Sequence, residues 1–275
     1  MTPPLHTEVL GSGGPFGGPT VVFVPGIGAT TRYFRERVAP LAARARPVLV
    51  DLLGFGRSPK PWTRYTVARH VAELHRVLAP RAPFTLVGHS LGARLAVAYA
   101  AAHPEAVERL VLISLPYFGG PEQAKRYLRR STPHHWVWTN MVLAALICVL
   151  SRHLLGRLFP RLLPGLPREV AEDLTQMTWR SSTSTLWEVL YRYDVRADIA
   201  QLPTDLPVLL LHGDRDTSAP LEHVRRLAAG HPAWTLGVLP GGDHNPLLQD
   251  AAWVRAALTR GVGPDGASAG HSRLS

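Results

Sequence analysis

Three residue types in this chain can form a nucleophilic unit, and the serine comes first. It lies in Gly88-His89-Ser90-Leu91-Gly92, between the apolar run Phe84-Thr85-Leu86-Val87 and the small-residue run Ala93 to Ala102. A serine on a strand-to-helix turn of this kind has strained backbone dihedrals. Glycines two positions to either side let strand and helix approach while Oγ projects above the sheet. The five-residue pattern alone arises by chance in roughly one chain in ten of this length, so the flanking elements are what make it informative.

A serine hydroxyl is inert at neutral pH until a base takes its proton, and the base must be held in one tautomer by an acid. Of thirteen histidines, His244 in Gly241-Gly242-Asp243-His244-Asn245 follows the last strand-like run and precedes the last helix-like run. That places it at the carboxyl edge, beside Ser90. His89 adjoins the serine on the turn, where neighbouring side chains point apart, and is expected to pack. His103, at a helix end before Pro104, is expected to cap. For the acid, Val208-Leu209-Leu210-Leu211 runs into His212-Gly213-Asp214-Arg215-Asp216, and either aspartate can reach His244. A metal reading of His-x-Asp-x-Asp needs further ligands that this stretch does not supply.

The elements that must position these groups alternate regularly. Strands are predicted at Thr20 to Val24, Pro47 to Asp51, Phe84 to Gly88, Leu110 to Ser114, Val208 to His212 and Trp234 to Leu239. Helices are predicted at Tyr33 to Ala45, Val67 to Ala79, Leu91 to Ala102, Leu221 to Ala229 and Pro246 to Arg260. Short, wholly apolar strands separated by helices imply an α/β fold, doubly wound, with a mostly parallel sheet covered on both faces.

The interval between Leu115 and about Pro203 is far longer than an ordinary connection and should carry structure of its own. The pattern predicts a helical cap with helices at Glu122 to Arg130, His135 to Leu150, Ser151 to Phe159, Arg168 to Met177 and Thr183 to Asp194. The expected division is residues 1–116 and 204–262 as core, 117–203 as an inserted cap or lid, and 263–275 as a mobile Gly- and Ser-rich tail.

With serine, acid and histidine following one another in that order, the chain resembles the α/β-hydrolase superfamily, in its cap-bearing serine hydrolase or esterase branch, over nearly all its length outside the cap. The family's Gly-x-x-Asp-x-x-x-Pro pattern, here Gly213 to Pro220, selects Asp216 over Asp214. Asp51 to Pro61 is similar to the family's Asp-x-x-Gly-x-Gly-x-Ser loop and is expected to be structural. The turn Pro25-Gly26-Ile27-Gly28 carries proline where many members have histidine. By the same resemblance it supplies one amide of an oxyanion hole, Ile27, with Leu91 as the other donor. Serine at 90 argues against the branches that use an aspartate nucleophile. The resemblance implies acyl transfer from a carboxylic ester of a small to medium apolar substrate through an acyl-enzyme, with no metal or organic cofactor. Thioesterase, lactonase and carbon-carbon bond hydrolase chemistry share the same three residues, and a non-catalytic ligand-binding role is the alternative of another class.

A competing pattern is also present. Gly26-x-Gly28-x-x-Thr31, then a helix, then a strand ending in Asp51, is close to a dinucleotide-binding fingerprint and would make the protein an oxidoreductase. Its third glycine is replaced, and it leaves the serine turn, Asp216 and His244 unexplained.

Composition bounds the rest. The 275 residues are 46% apolar, enough for a large core. The single cysteine, Cys148, rules out an internal disulfide framework, and Met1 to Leu10 lacks a secretory pattern, so a cytoplasmic location is expected. The formal charge of +10 suggests a phosphate-binding surface, but no nucleic-acid partner is expected. All but two of the basic residues are arginines, and about +6 of the charge falls between Pro121 and Val170. There Val137 to Leu150 is too short to span a bilayer but apolar enough to lie on one, followed by Arg152, Arg157 and Arg161, so the cap is a candidate for peripheral contact with anionic lipid. Trp136, Met141 and Trp187 are the candidate lining of an apolar substrate pocket. The expected partner is a small apolar ester, with no obligate protein partner.

Overall fold

The computed structural model describes residues 3–11, 17–120, 122–124, 126, 127, 172, 173 and 176–260. Seven strands, β1 (Thr7–Val9), β2 (Thr20–Val24), β3 (Arg46–Val50), β4 (Phe84–His89), β5 (Val107–Ile113), β6 (Val208–Gly213) and β7 (Trp234–Leu239), form one sheet in the order β1-β3-β2-β4-β5-β6-β7. All neighbouring pairs are parallel except β1 with β3. The register sets Val24 beside Gly88, Gly88 beside Leu112 and Ile113 beside Leu211, so the carboxyl ends of the central strands lie in one line.

Strand periodicity divides the apolar side chains between two cores. Val22, Val24, Leu86, Leu110, Leu112 and Leu210 face one side, where they meet α2 (Val67–Leu78), α3 (Leu91–Ala102) and α6 (Leu221–Ala229). Val21, Phe23, Val87, Val111, Ile113 and Leu211 face the other, against α1 (Thr31–Val38) and α8 (Ala251–Thr259). Because β4 is buried at every position, both its faces must be apolar, which is why it reads as a continuous run rather than an alternating one. Helix α3 is buried over ten of its twelve residues. Its many alanines let it lie close behind β4.

Several boundaries differ from the sequence reading. Strand β1 was not anticipated, since two half-buried residues and an exposed one give no periodic signal. The helix expected over Tyr33 to Ala45 ends at Val38, where Pro40 carries the chain into a 3₁₀ turn. The last helix is two, α7 (Pro246–Gln249) and α8, because Asp250 leaves helical geometry and caps the second one, its Oδ1 accepting from Trp253 N at 2.8 Å.

The long excursion after β5 is described at both its ends. On the return, α4 (Trp179–Thr185) runs into a π-helical segment, Leu186–Arg192, followed by α5 (Val195–Ile199), where one helix from Thr183 to Asp194 was expected. The buried Arg94 of α3 holds both ends: Nη1 donates to Pro116 O at 2.7 Å, Nε to Val189 O at 2.9 Å, and Nη2 to Tyr193 O. The helices expected at His135 to Leu150 and Ser151 to Phe159 lie outside the described residues, as do Trp136, Met141, Cys148, the basic stretch from Arg152 to Arg161 and the 263–275 tail. Those at Glu122 to Arg130 and Arg168 to Met177 lie partly outside. Among the described residues no helix is long and apolar enough to cross a membrane.

Candidate active site

Ser90 stands between β4 and α3 with φ 54° and ψ −121°, a conformation that costs a non-glycine residue about 1–3 kcal/mol and persists only when its surroundings impose it. The surroundings do so from two sides. Ser90 N donates to Ile113 O at 2.9 Å, fastening the turn to β5. Gly92 lies so close to the end of β2 that a Cβ there would come within 2.3 Å of Pro25 O and 2.4 Å of Val24 O. The same closeness sets the Pro25-Gly26-Ile27-Gly28 turn against the serine, with the Gly26 Cβ position 3.1 Å from Ser90 Cβ.

His244 bridges the serine and an aspartate. Its Nε2 accepts from Ser90 Oγ at 2.8 Å and its Nδ1 donates to Asp216 Oδ2 at 2.8 Å. Of the two candidate acids, Asp216 is the one at the imidazole. Asp214 is exposed and its Oδ1 accepts from Gly241 N at 2.7 Å, pinning the turn that leads to His244.

Asp216 is 8% exposed and uses both oxygens. Oδ1 accepts from Ser218 N at 2.8 Å and Ala219 N at 2.9 Å, and Oδ2 meets His244. Burial raises its pKa, but the His244 bond and charge, the Ala219 amide and the nearby His212 outweigh it, and the carboxyl is held below its ordinary value. His212, also buried, donates from Nε2 to Ala219 O at 2.8 Å and sits 3.4 Å from Asp216 Oδ2. Burial lowers its pKa.

The approach of the two loops depends on Gly213. A Cβ on it would lie 2.2 Å from Gly242 O and 2.4 Å from Asp243 O, so any larger residue would push the His244 loop off the end of β6.

His89, expected to pack, does so and more. Its ring stacks on Tyr33 with centroids 4.8 Å apart at 16°, and Nε2 donates to His244 O at 3.0 Å. Burial pushes its pKa down to about 3, helped by the charge of His244, so the ring is neutral with its proton on Nε2. The carbonyl acceptor fixes that tautomer. This residue and His212 are the two whose part in the site the sequence reading missed. For His212 the signal was present, since His-x-x-x-Asp at the end of a buried strand places two polar residues where neither can stay unpaired.

At the two amides expected to face an oxyanion, neither Ile27 N nor Leu91 N is matched to an acceptor among the described residues. Two amides at a strand end and a helix start, unpaired and beside a serine hydroxyl, suit an oxygen that gains negative charge. Trp187, half-buried on the π-helical segment, has ring contacts with Tyr191 at 5.5 Å and Arg192 at 5.9 Å, and nothing described brings it to Ser90.

Asp51, the acid a dinucleotide ribose would need, is buried with both oxygens engaged by the chain: Oδ1 accepts from Thr31 N at 2.7 Å and Oδ2 from Arg57 N at 2.8 Å. Ser58 Oγ closes the same loop by donating to Asp51 O at 2.6 Å. The Asp51 to Pro61 loop is a structural brace. Among the described residues no three His, Cys, Asp or Glu side chains are grouped to hold a metal ion.

A seven-stranded, mostly parallel sheet with a strained serine after its central strand, an aspartate after β6 and a histidine after β7 defines a hydrolase architecture. A family model described as the alpha/beta hydrolase fold matches residues 19–251, and the chain belongs to that family. Among curated proteins it is 28% identical over 254 residues to the probable lysophospholipase BODYGUARD 2 of Arabidopsis thaliana, an alignment taking in 82% of this chain and 54% of that one. The chain thus spans about half the length of that relative. Solved structures share the fold, two of them as follows. An esterase from Exiguobacterium antarcticum matches with TM-score 0.71 and 18% identity, over 94% of this chain and 95% of that one. The enol-lactonase from Burkholderia xenovorans LB400 matches with TM-score 0.69 and 22% identity, over 93% and 95%.

Proposed function

We propose that this hydrolase is a serine enzyme that cleaves a carboxylic ester of a small to medium apolar substrate through an acyl-enzyme. The observation that carries the reading is His244 held between Ser90 Oγ and Asp216 Oδ2, 2.8 Å from each.

Ser90 Oγ attacks the ester carbonyl carbon as its proton passes to His244 Nε2. The carbonyl oxygen becomes an oxyanion facing Ile27 N and Leu91 N, each donor contributing about 3 kcal/mol of barrier lowering. Asp216, kept ionised, stabilises the imidazolium. His244 then returns the proton to the departing alcohol, and the carbonyl of an acyl-Ser90 re-forms. Water enters, loses a proton to His244 and attacks that carbonyl, and Ser90 leaves with the proton on Oγ.

Residues 117–203 are read as the cap over this edge, with Trp136, Met141 and Trp187 as candidate lining for the acyl chain. Two things support an apolar ester: the similarity to the Arabidopsis relative, a probable lysophospholipase, and the aromatic residues of that segment.

The test is labelling by an alkyl phosphonate with and without Ser90→Ala, followed by p-nitrophenyl esters of rising chain length. Labelling is expected to vanish in the variant and the rate to rise from acetate to medium chains. Labelling that survives Ser90→Ala puts the nucleophile elsewhere.

A further inference from the structure

Of the three exposed large hydrophobic side chains among the described residues, two lie side by side. Trp62 is 77% exposed and Trp179 is 40% exposed, with ring centroids 6.1 Å apart and planes at 80°. Single exposed apolar residues are ordinary, but two adjoining tryptophans call for an explanation. Between them sits Arg180, its guanidinium carbon 3.5 Å from the Trp62 ring centre and 5.6 Å from that of Trp179. Arg180 Nε is buried with no hydrogen-bond partner.

The position of this cluster is fixed by topology. Trp62 lies in the connection that leaves the carboxyl end of β3, and Trp179 opens α4, which is fastened to that connection by Ser184 Oγ accepting from Tyr65 N at 3.0 Å. The carboxyl end of β3 is on the same edge of the sheet as the carboxyl ends of β4, β6 and β7, from which Ser90, Asp216 and His244 project.

The surroundings are basic. From Leu52 to Ala72 the chain carries Arg57, Lys60, Arg64 and Arg69 and no acid. Arg57 and Arg64 are 69% and 66% exposed, each with one acid beside it: Glu8 Oε1 lies 3.7 Å from Arg57 Nη1 and Glu188 Oε1 lies 2.7 Å from Arg64 Nη2.

We propose that Trp62, Trp179 and Arg180, with the flanking Arg57, Lys60 and Arg64, form a docking surface for an anionic phospholipid membrane. Indoles settle at the boundary between headgroups and acyl chains, where their apolar body and N–H are both accommodated. Basic residues beside them meet lipid phosphates. A single-stranded nucleic acid is the other anionic partner with a use for tryptophan, but base stacking needs an open ring face. One face of Trp62 is covered by Arg180, and the crossed rings of Trp62 and Trp179 leave no parallel slot for a base. The proposal goes beyond the hydrolase reading, and it is read by binding without turnover.

The experiment is co-sedimentation of the full chain with phosphatidylcholine vesicles, with and without phosphatidylserine. Binding is expected on the phosphatidylserine vesicles, weakening as salt rises. Trp62→Ser, at a side chain too exposed to matter for folding, should lower the partition coefficient about tenfold. Arg180→Gln should lower it about fivefold. Circular dichroism checks that each variant is folded. Equal binding to both vesicle types, Trp62→Ser binding like the parent, or a preference for a single-stranded oligonucleotide over the vesicles each overturns the proposal. Ser90→Ala should bind vesicles like the parent. Unlabelled Ser90 with intact vesicle binding would therefore count against the hydrolase reading alone.

Discussion

The ring of His89 donates from Nε2 to the main-chain carbonyl of His244 over 3.0 Å. The residue beside the candidate nucleophile thereby holds the backbone of the candidate base, while Tyr33 stacked behind it holds His89. Replacing His89 with leucine keeps apolar volume but removes the donor. A loss of about 1 Å in the placement of a catalytic group costs about a hundredfold in rate, so kcat for a p-nitrophenyl ester is expected to fall toward that value with KM little changed. His89→Gln, whose amide reaches about as far as Nε2, should recover part of the loss. Since His89 is neutral down to about pH 3, the pH-rate profile should keep its shape in both variants. A shifted profile would make His89 a proton-transfer group and not a positioning one.

Asp214 and Asp216 stand two residues apart at the end of β6 and do different work. Asp216→Asn removes the acceptor that fixes the His244 tautomer, and a drop in kcat of about 10⁴ is expected. Asp214→Asn leaves an oxygen able to accept from Gly241 N, and kcat is expected to stay within about threefold, since only a turn is touched. Steady-state kinetics on the two variants checks both. The reverse order of effects would mean that the carboxylates exchange roles during turnover.

How far the site was legible depends on how local its cause is. Ser90 was found because the strain of its turn demands two glycines and because β4 is buried throughout and α3 over ten of its twelve residues, so their apolar character is nearly continuous in the sequence. The bounds of α3, α6 and β7 were read to the residue, for α3 because burial leaves a continuous apolar run and for all three because turn residues cut the run cleanly. Choosing Asp216 over Asp214 needed the family pattern, because spacing alone allowed either. Gly213 was read only as a spacer. That a Cβ on it would stand 2.2 Å from Gly242 O reflects a close approach between segments about thirty residues apart, and no local pattern reports it. Strand β1 and the partners of Arg94 were hidden likewise, the first by its shortness and the second because main-chain acceptors leave no mark on residue type.

Three buried histidines, His70, His89 and His212, each with its pKa lowered by burial, make the fold sensitive to mild acid. Burial lowers both His70 and His89 to about 3, against about 6.5 in an unfolded chain. Between those values the unfolded state binds more protons than the native state, so stability is complete above pH 6.5 and falls as pH drops toward 3. The slope is up to about 1.4 kcal/mol per pH unit for each residue. Asp216, whose pKa is lowered, acts in a different window: its contribution is present above its unfolded value near 3.8 and fades only below it. Urea midpoints are therefore expected to decline from pH 7 to pH 4.5 with m unchanged. His70→Gln should lower stability at pH 7, where the parent ring packs neutrally, and reduce the slope by about a third. A parent midpoint flat over this range would show that these rings reach solvent.

The longest-range consequence is drawn from Arg94, a buried guanidinium with no carboxylate among its hydrogen-bond partners. Burial pulls its pKa down to about 10, so it remains charged at neutral pH, and its partners are the carbonyls of Pro116, Val189 and Tyr193. Pro116 is where the excursion leaves the core, and Val189 and Tyr193 lie where it returns. One side chain, four residues after Ser90, thus ties both ends of that excursion to the helix behind Ser90. Arg94→Met fills most of the volume but leaves three carbonyls short of a donor, and a loss of about 3 kcal/mol is expected. Arg94→Lys should rescue only part of it, because an ammonium is a compact charge and cannot spread donors along a planar fork. Limited proteolysis separates local from global loosening. Cleavage within 117–203 should accelerate in Arg94→Met while the fragments carrying β2 to β5 stay intact. Uniform digestion of the whole chain at the same rate would show that Arg94 supports the core as a whole and not the two ends it bridges.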